Sequence, residues 1–209
     1  MVAMNRTTSP QLPLQFRTRG GRRPGAGRKP KKNGRVSHAR RPALASRFPV
    51  HVTYRLVRRL PSARRPTVFK AIRKAFNEGR EAFGGRLCHF SVQDDHLHLL
   101  VEAANREALS ASLHALAIRI ARAINRVLRR KGRVFADRYH MRILRTPTEV
   151  KNALHYVLNN RFKHHGRPDY FVEQDYCSSL AWRDTLVVPP RTWLLKHAER
   201  ALHLRPPPT

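Results

Sequence analysis

The sequence predicts an α+β fold of the ferredoxin-like type, an antiparallel sheet built in the order β-α-β-β-α-β, with one more helix added at the C-terminal end. Two observations support this prediction. Apolar and β-branched residues alternate in several short segments, as in strands, and recur about every 3.6 residues in three longer segments, as in helices. In this topology the first and third strands are central, and the two crossover helices cover one face of the sheet.

The elements follow one another from about residue 48. Gly84 and Gly85 are predicted to end the first helix as a left-handed cap, and Pro147 lies in the first turn of the last helix. The predicted elements are a strand over 49–57, a helix over 66–83, strands over 87–92 and 96–102, a helix over 106–130, a strand over 139–144 and a helix over 147–162.

A basic N-terminal arm is predicted to precede the folded domain. The chain has a formal net charge of +30, from 43 basic and 13 acidic residues, and nucleic acid is the usual partner of such a charge. Residues 1–47 include 13 Lys and Arg and no acidic residue. Because they are also rich in Gly and Pro, we expect a disordered arm that contacts phosphates. Its candidate nucleic-acid-binding residues are Arg22, Arg23, Arg28, Lys29, Lys31 and Lys32.

The rest of the chain is predicted to be one catalytic domain over 48–182 and a C-terminal tail over 183–209. Four more basic residues are candidates for nucleic-acid binding, with a solvated helix face as the alternative for those on the second helix. They are Arg122, Arg126, Arg129 and Arg138.

The composition argues against membrane and secreted classes of protein. No apolar run approaches the roughly 18 residues of a membrane-spanning helix, and the first residues lack the apolar segment of a signal peptide. The two cysteines, Cys88 and Cys177, are far apart and match neither a disulfide framework nor a zinc motif. We therefore expect a cytoplasmic, nucleoid-associated protein.

Two histidines on one strand are the most specific chemical feature. His96 and His98 flank Leu97, so both imidazoles point to the open face of the sheet, with Cα atoms about 7 Å apart. Such a pair can share one divalent metal, although without further ligands it is more commonly a polar sheet face. Asp94 and Asp95 are interpreted as turn residues, and a hydrogen bond from one of them to a ligating imidazole is the alternative.

The last predicted helix offers a nucleophile and a further ligand. Tyr156 and Asn160 lie four residues apart, hence on one face, and away from the centre of the apolar stripe. The amide oxygen of Asn160 suits Mg²⁺ or Mn²⁺. A phenolic oxygen beside such a metal can attack a phosphodiester, giving a phosphotyrosine joint and a free 3′-OH. Tyr139, on a predicted strand, is the competing nucleophile.

Three motifs together resemble the single-tyrosine HUH transposases, and in particular the REP-associated tyrosine transposases. They are DDHLHLLVE over 94–102, RYHMRILRT over 138–146 and HYVLNNRFKHHG over 155–166, and the resemblance extends over about 48–182. It implies that Tyr156 is the nucleophile on a catalytic helix and that His96, His98 and Asn160 hold Mg²⁺ or Mn²⁺. It further implies DNA transposition and recombination by cleavage and rejoining of single-stranded DNA at hairpin-forming or palindromic repeats such as REP elements, and a homodimer.

Two alternatives to a tyrosine transposase stay open from the sequence. One is a non-catalytic nucleic-acid-binding module on the same fold, although such modules usually carry exposed aromatic residues where His96 and His98 stand here. The other is a metal-dependent hydrolase that activates water instead of forming a tyrosyl adduct.

Overall fold

The computed structural model describes residues 41–163, 175–183 and 185–204, and it confirms the predicted α+β order of elements. The arm residues proposed to bind nucleic acid, from Arg22 to Lys32, lie outside this range. Up to the third helix, the elements are β1 (Val50–Arg55), α1 (Pro66–Gly79), β2 (Glu81–Ala82), β3 (Gly85–Val92), β4 (His96–Ala103), α2 (Arg106–Val127), β5 (His140–Ile143) and α3 (Pro147–Lys163). A 3-10 helix (Ser179–Trp182) and α4 (Trp193–Ala201) follow.

The five strands form one sheet in the order β2-β3-β4-β1-β5, and every neighbouring pair is antiparallel. The first and third long strands, β1 and β4, are therefore central, as the topology predicted. In the register between them, Thr53 lies opposite His98 and Arg55 lies opposite His96. This register places the histidine pair in the middle of the sheet.

One face of the sheet is packed against α1 and α2. Pro66 begins α1, where a missing backbone N–H costs nothing, and apolar residues at helical spacing then bury that helix. The rings of Phe76 in α1 and Phe90 in β3 are 4.7 Å apart and fully buried. The buried hydroxyl of Tyr54 donates to the backbone oxygen of Leu113 at 2.8 Å, so burial does not leave this phenol unsatisfied.

The end of α1 differs from the prediction. The helix ends at Gly79 and not at Phe83, and the chain enters the short strand β2. Phe83 and Gly84 both have positive φ, at 53° and 75°, and they connect Ala82 to its partner Gly85 as a two-residue hairpin. Two successive positive φ values are what a tight hairpin turn needs, so the glycines serve a turn and do not cap a helix. Similarly, α2 ends at Val127 instead of residue 130.

The other face of the sheet, which the sequence predicted to be open, is covered by α3 and α4. A second apolar cluster joins them to β4 and includes Leu100, Leu154, Leu158 and Leu195. Reciprocal hydrogen bonds at the start of α3 fix the residue at which this helix begins. The position of α3 over the histidines is therefore set by these local bonds as well as by packing. Among the described residues, no helix has the length and apolar character of a membrane-spanning segment.

Thr146 and Glu149, at the predicted start of the last helix, form a capping box at the beginning of α3. The backbone N–H of Glu149 donates to Thr146 Oγ1 at 3.2 Å, and the backbone N–H of Thr146 donates to Glu149 Oε2 at 3.2 Å. Glu149 also accepts from the backbone N–H of Arg145 at 2.8 Å, and these bonds lower the pKa of its carboxyl. A carboxylate in the first turn also favours the helix dipole.

The segment that the sequence assigned to a tail contains α4, which no sequence pattern had predicted. Its start is tied to the sheet by Glu102, a buried residue of β4. This carboxylate accepts hydrogen bonds from the Thr192 backbone N–H at 2.9 Å, from Thr192 Oγ1 at 2.7 Å and from the Arg191 backbone N–H at 2.8 Å. At the other end, Glu199 lies 2.9 Å from the ring of the buried His89 in β3. Two buried polar contacts thus hold α4 against the sheet.

Candidate active site

The histidine pair lies on the face of the sheet that α3 covers. The ring centroids of His96 and His98 are 4.7 Å apart and the ring planes are nearly perpendicular, at 84°. His98 is 4 % exposed, whereas the side chain of His96, at the start of β4, is 26 % exposed. The pair therefore forms a partly solvent-facing concentration of imidazole nitrogens at the centre of the sheet.

Neighbouring side chains orient both imidazoles through Nδ1. In His98, Nδ1 lies 3.2 Å from Thr53 Oγ1 and 3.2 Å from His51 Nε2, both on the adjacent strand β1. In His96, Nδ1 lies 2.7 Å from Asp95 Oδ1. Contacts at Nδ1 hold the plane of each imidazole and leave Nε2 as the nitrogen suited to a metal, as is usual for a metal-binding histidine.

The two aspartates before the pair have different roles. Asp95 contacts the ring of His96, and this hydrogen bond lowers the pKa of the Asp95 carboxyl. Asp94 instead accepts a hydrogen bond from the Ser62 hydroxyl, and its backbone oxygen accepts from the Ala63 N–H at 2.9 Å. The geometry favours the contact with an imidazole for Asp95 and a loop-anchoring role for Asp94.

Tyr156 of α3 is directed at the histidines. Its ring centroid is 5.1 Å from that of His98, in an edge-to-face arrangement of 78°, and 6.0 Å from that of His51, at 69°. The side chain is half-buried, at the edge of the second apolar cluster. The last helix and the central strand therefore bring a phenol beside the imidazole pair.

Asn160 lies one helical turn after Tyr156 and is buried, with 1 % exposure. Neither its amide oxygen nor its amide nitrogen has a hydrogen-bond partner among the described residues. Burying an amide without partners is unfavourable by about 1–3 kcal/mol, so the protein retains this group at a cost in stability. An oxygen that lacks a donor is consistent with a metal ligand. Within the described residues, no group of three His, Cys, Asp or Glu is placed to bind a metal.

His51 is a member of this cluster that the sequence analysis did not single out. Burial, together with the nearby charges of His140 and Arg142, lowers the pKa of its imidazole to about 4. At neutral pH the ring is therefore uncharged, and it can exchange a hydrogen bond with His98. The sequence of β1 does indicate that His51 faces the site, because His51 and Thr53 occupy alternate positions between buried apolar residues.

A family model described as IS200-like transposase matches residues 45–160, which is more than half of the chain. The chain belongs to the IS200-like transposase family. This confirms the transposase family that the motifs resembled, and His96, His98, Tyr156 and Asn160 all lie within the matched range. No curated protein sequence matches the chain.

A solved structure of a transposase shares this fold. A REP-associated tyrosine transposase bound to a REP hairpin is 16% identical, covers 71% of this chain and 85% of its own, and superposes with a TM-score of 0.56. A candidate transposase from Deinococcus radiodurans R1 is 15% identical, covers 57% of this chain and 93% of its own, and has a TM-score of 0.40. At this identity, the first structure supports the ferredoxin-like transposase fold.

Tyr139, the alternative candidate for the nucleophile, lies away from the histidines. It packs against the first core, its ring is 5.7 Å from that of Tyr54, and Arg41 stacks over it at 3.8 Å. The Arg41 guanidinium also donates to the backbone oxygen of Tyr139 at 2.6 Å. These contacts give Tyr139 a packing role on the opposite face of the sheet.

The candidate DNA-binding residues of the described domain lie outside the histidine cluster. Arg122, Arg126 and Arg129 are exposed on α2 and just after it, on the side of the sheet opposite α3. Arg138 is also exposed, and its backbone N–H donates to Asp137 Oδ1 at 2.8 Å. The structure thus separates these cations from the cluster around Tyr156.

Proposed function

We propose that this member of the transposase family cleaves and rejoins single-stranded DNA through a covalent 5′-phosphotyrosine on Tyr156. The observation that carries the proposal is the edge-to-face packing of the Tyr156 ring, 5.1 Å from His98, in a chain of this family. The cluster unites a nucleophile, two imidazoles and a buried amide on one face of the sheet. Neither an apolar core nor a passive binding surface requires this combination.

The residues present fit a divalent metal. His96 and His98 would hold it through Nε2, and the amide of Asn160, which has no partner in the part of the chain that the structure describes, would supply an oxygen. This donor set suits Mg²⁺ or Mn²⁺. When bound, such an ion polarises the scissile phosphate and offsets the charge that develops there. Thr53, His51 and Asp95 orient the two imidazoles for this role.

The chain's own residues account for the covalent step. The phenolic oxygen of Tyr156 forms a bond to phosphorus, the bond from phosphorus to the 3′ oxygen breaks, and that oxygen leaves as a free 3′-OH. The half-buried position of Tyr156 on a rigid helix limits the directions from which DNA can approach. Rejoining reverses the same bonds with a second 3′-OH as the attacking group.

The proposed substrate is a DNA hairpin with single-stranded flanks, because the similar transposase structure holds a REP hairpin and the chain carries a charge of +30. We place the activity at the nucleoid in the cytoplasm. A homodimer is the assembly implied by the resemblance, and sedimentation of the purified protein tests it.

The test is an adduct assay. The protein is incubated with end-labelled hairpin DNA and Mn²⁺ or Mg²⁺, then separated on a denaturing gel. We expect a covalent adduct that is absent with EDTA and absent in Tyr156→Phe, while the matched variant Tyr139→Phe retains it. Cleavage that survives in Tyr156→Phe would instead identify a hydrolase. DNA binding without cleavage, across a panel of hairpins and both metals, would identify a binding module.

A further inference from the structure

A further basic surface lies beside α1, apart from the arginines of α2. A cleft of about 600 Å³ is formed between the exposed side of α1 and the segment that contains the 3-10 helix. We call it the α1 cleft. Its main lining residues are Lys70, Arg73, Lys74, Asn77, Arg80 and Trp182.

The cations of the α1 cleft follow from the helical repeat. Positions 70, 73, 74 and 77 are three or four residues apart, so they form one stripe about 10 Å long on the side of α1 that faces away from the core. None of the described residues that line the cleft is acidic. Glu78, on the same helix, pairs with Lys74 at 3.9 Å, where both side chains are mostly exposed and the attraction is weak.

Two arginines of the cleft are held by uncharged partners. Arg73 stacks 3.4 Å above the ring of Trp182 and donates to the hydroxyl of Tyr176 at 2.9 Å. Arg80 donates to the backbone oxygen of Thr185 at 2.5 Å and to the side-chain oxygen of Asn77. These contacts fix the direction of both guanidinium groups without neutralising them. A fixed guanidinium without a carboxylate partner is well prepared to bind a phosphate.

The platform under Arg73 is itself anchored. Trp182 Nε1 donates to the backbone oxygen of Tyr176 at 2.8 Å, and Tyr176 packs edge-on against Phe69 of α1 at 5.5 Å. Further along, Arg64 donates to the buried carboxylate of Asp175 at 2.9 Å. The segment is therefore bound to α1 at several points, and the cleft is preformed.

We propose that the α1 cleft binds the phosphodiester backbone of DNA outside the segment that is cleaved. The occupant is inferred from charge: two flexible lysines and two oriented arginines line a cleft whose described residues include no carboxylate. The cleft lies on the α1 side of the sheet, whereas Tyr156 lies on the α3 side. It therefore cannot hold the scissile phosphate, and it contacts flanking DNA. This inference adds a second contact surface to the proposed function, and its test measures binding alone.

The experiment compares two double variants that remove the same charge. Lys70→Gln/Lys74→Gln changes the cleft, and Lys196→Gln/Arg200→Gln changes exposed cations of α4. Each full-length protein is titrated, in EDTA, against a fluorescent DNA hairpin with long single-stranded flanks over a series of salt concentrations. All four side chains are exposed, so the unfolding temperatures should match the wild type.

We expect the cleft variant to bind DNA about tenfold more weakly than the wild type. The slope of its log affinity against log salt concentration should be shallower by about 1.4 to 1.8, the value for two lost phosphate contacts. The α4 variant should keep the wild-type slope. Equal slopes in the two double variants would overturn the proposal, because a loss of net charge alone would then explain both affinities.

A second measurement separates the cleft from the active site. With a short oligonucleotide that contains only the cleaved segment, the cleft variant should form the Tyr156 adduct at the wild-type rate. A slower reaction on this short substrate would contradict a flanking role. Absence of the adduct in the wild type on the hairpin DNA with long flanks would refute the proposed nuclease, whereas the salt slopes would still decide whether the cleft binds DNA.

Discussion

The two faces of the sheet differ in what they bury. Against α1 and α2, the strands bury apolar side chains such as Phe90 and Leu99, and the buried Tyr54 hydroxyl has a partner. Against α3 and α4, the same strands bury His89, His98 and Glu102, and α3 adds the Asn160 amide, which has no hydrogen-bond partner among the described residues. Both faces are covered by helices, so the contrast arises from the choice of side chains.

From this difference we expect the first face to supply stability and the second to supply the proposed chemistry. Apolar burial contributes about 25 cal/mol per Å² and needs no directed bonds, whereas a buried polar group needs a partner or lowers stability. The histidine face satisfies most of its groups through neighbours, as in the contacts of His98 with Thr53 and His51. Among the described residues of α3, both amide atoms of Asn160 and the amide nitrogen of Asn159 lack a hydrogen-bond partner. Variants on either face should separate these two roles.

The largest effect is expected for Asn160→Ala. If the amide holds a metal, its removal takes away several kcal/mol of stabilisation of the transition state, so adduct formation should slow by about 10³-fold. The free energy of unfolding should change by no more than about 1 kcal/mol, because the substitution creates a cavity but also removes an unsatisfied amide. Adduct kinetics and urea unfolding measure the two quantities.

The matched control for that variant is Asn159→Ala. Asn159 is the adjacent buried asparagine of α3, but it points about 100° away around the helix. We expect it to retain adduct formation within severalfold of the wild type. Equal losses of activity in both variants would show that the helix, and not the Asn160 amide, is being perturbed.

On the apolar face, Phe90→Ala should lower the free energy of unfolding by about 3–5 kcal/mol, because a fully buried ring in contact with Phe76 leaves a cavity. Phe83→Ala is the control: this ring is 63 % exposed in the hairpin turn, and its loss should change stability by about 0.5 kcal/mol or less. Chemical denaturation compares the two. A small change in Phe90→Ala would contradict the assignment of stability to this face.

Much of the fold could be predicted because its signals are local and periodic. The stripe in α1, the alternation in β1 and the Thr146 and Glu149 start of α3 each specify an element within a few residues. The end of α1 could not be read in this way, because Gly84 suits a helix cap and a hairpin turn equally well. The start of α4 did have a local signal, because Thr192 caps it by accepting from the backbone N–H of Leu195 at 3.4 Å. The packing of α4 on the sheet depends on the distant carboxylate of Glu102, which no local pattern reveals.

The candidate site was predictable where spacing alone determines proximity. Residues that are two apart on a strand, or four apart on a helix, lie on the same face of that element. This spacing identified His96 and His98 on the strand and Tyr156 and Asn160 on the helix. The position of His51 beside His98 depends on the pairing of β1 with β4, which only the sheet topology provides. The α1 cleft similarly required the packing of Trp182 on Arg73.

The next prediction concerns pH and the burial of His51. Its folded-state pKa of about 4 lies below the ordinary value of 6.5, so the fold favours the neutral ring. The contribution of the neutral His51 ring to the free energy of unfolding is therefore fully present above about pH 6.5 and is lost as the pH falls towards 4. In metal-free protein, we expect up to about 3 kcal/mol of stability to be lost in that window through this group.

The comparison that isolates this effect is His51→Gln against His114→Gln. His51 faces His98, Tyr156, His140 and Arg142, whereas His114 is exposed on α2. Denaturation in EDTA at several pH values should give a flatter profile for His51→Gln and the wild-type profile for His114→Gln. A wild-type slope in both variants would mean that another group on the histidine face controls acid sensitivity.

The smallest effect is expected at Asp95, which orients one imidazole from outside the cluster. Asp95→Ala removes the acceptor 2.7 Å from His96 Nδ1, and loss of such a partner weakens metal affinity by about 10- to 100-fold. Adduct formation should fall at limiting Mn²⁺ and recover at saturating Mn²⁺. Asp94→Ala, whose carboxylate contacts Ser62 instead, should keep the wild-type metal dependence. A defect in Asp95→Ala that saturating metal does not repair would show that this carboxylate acts on the strand or on the DNA, and not through His96.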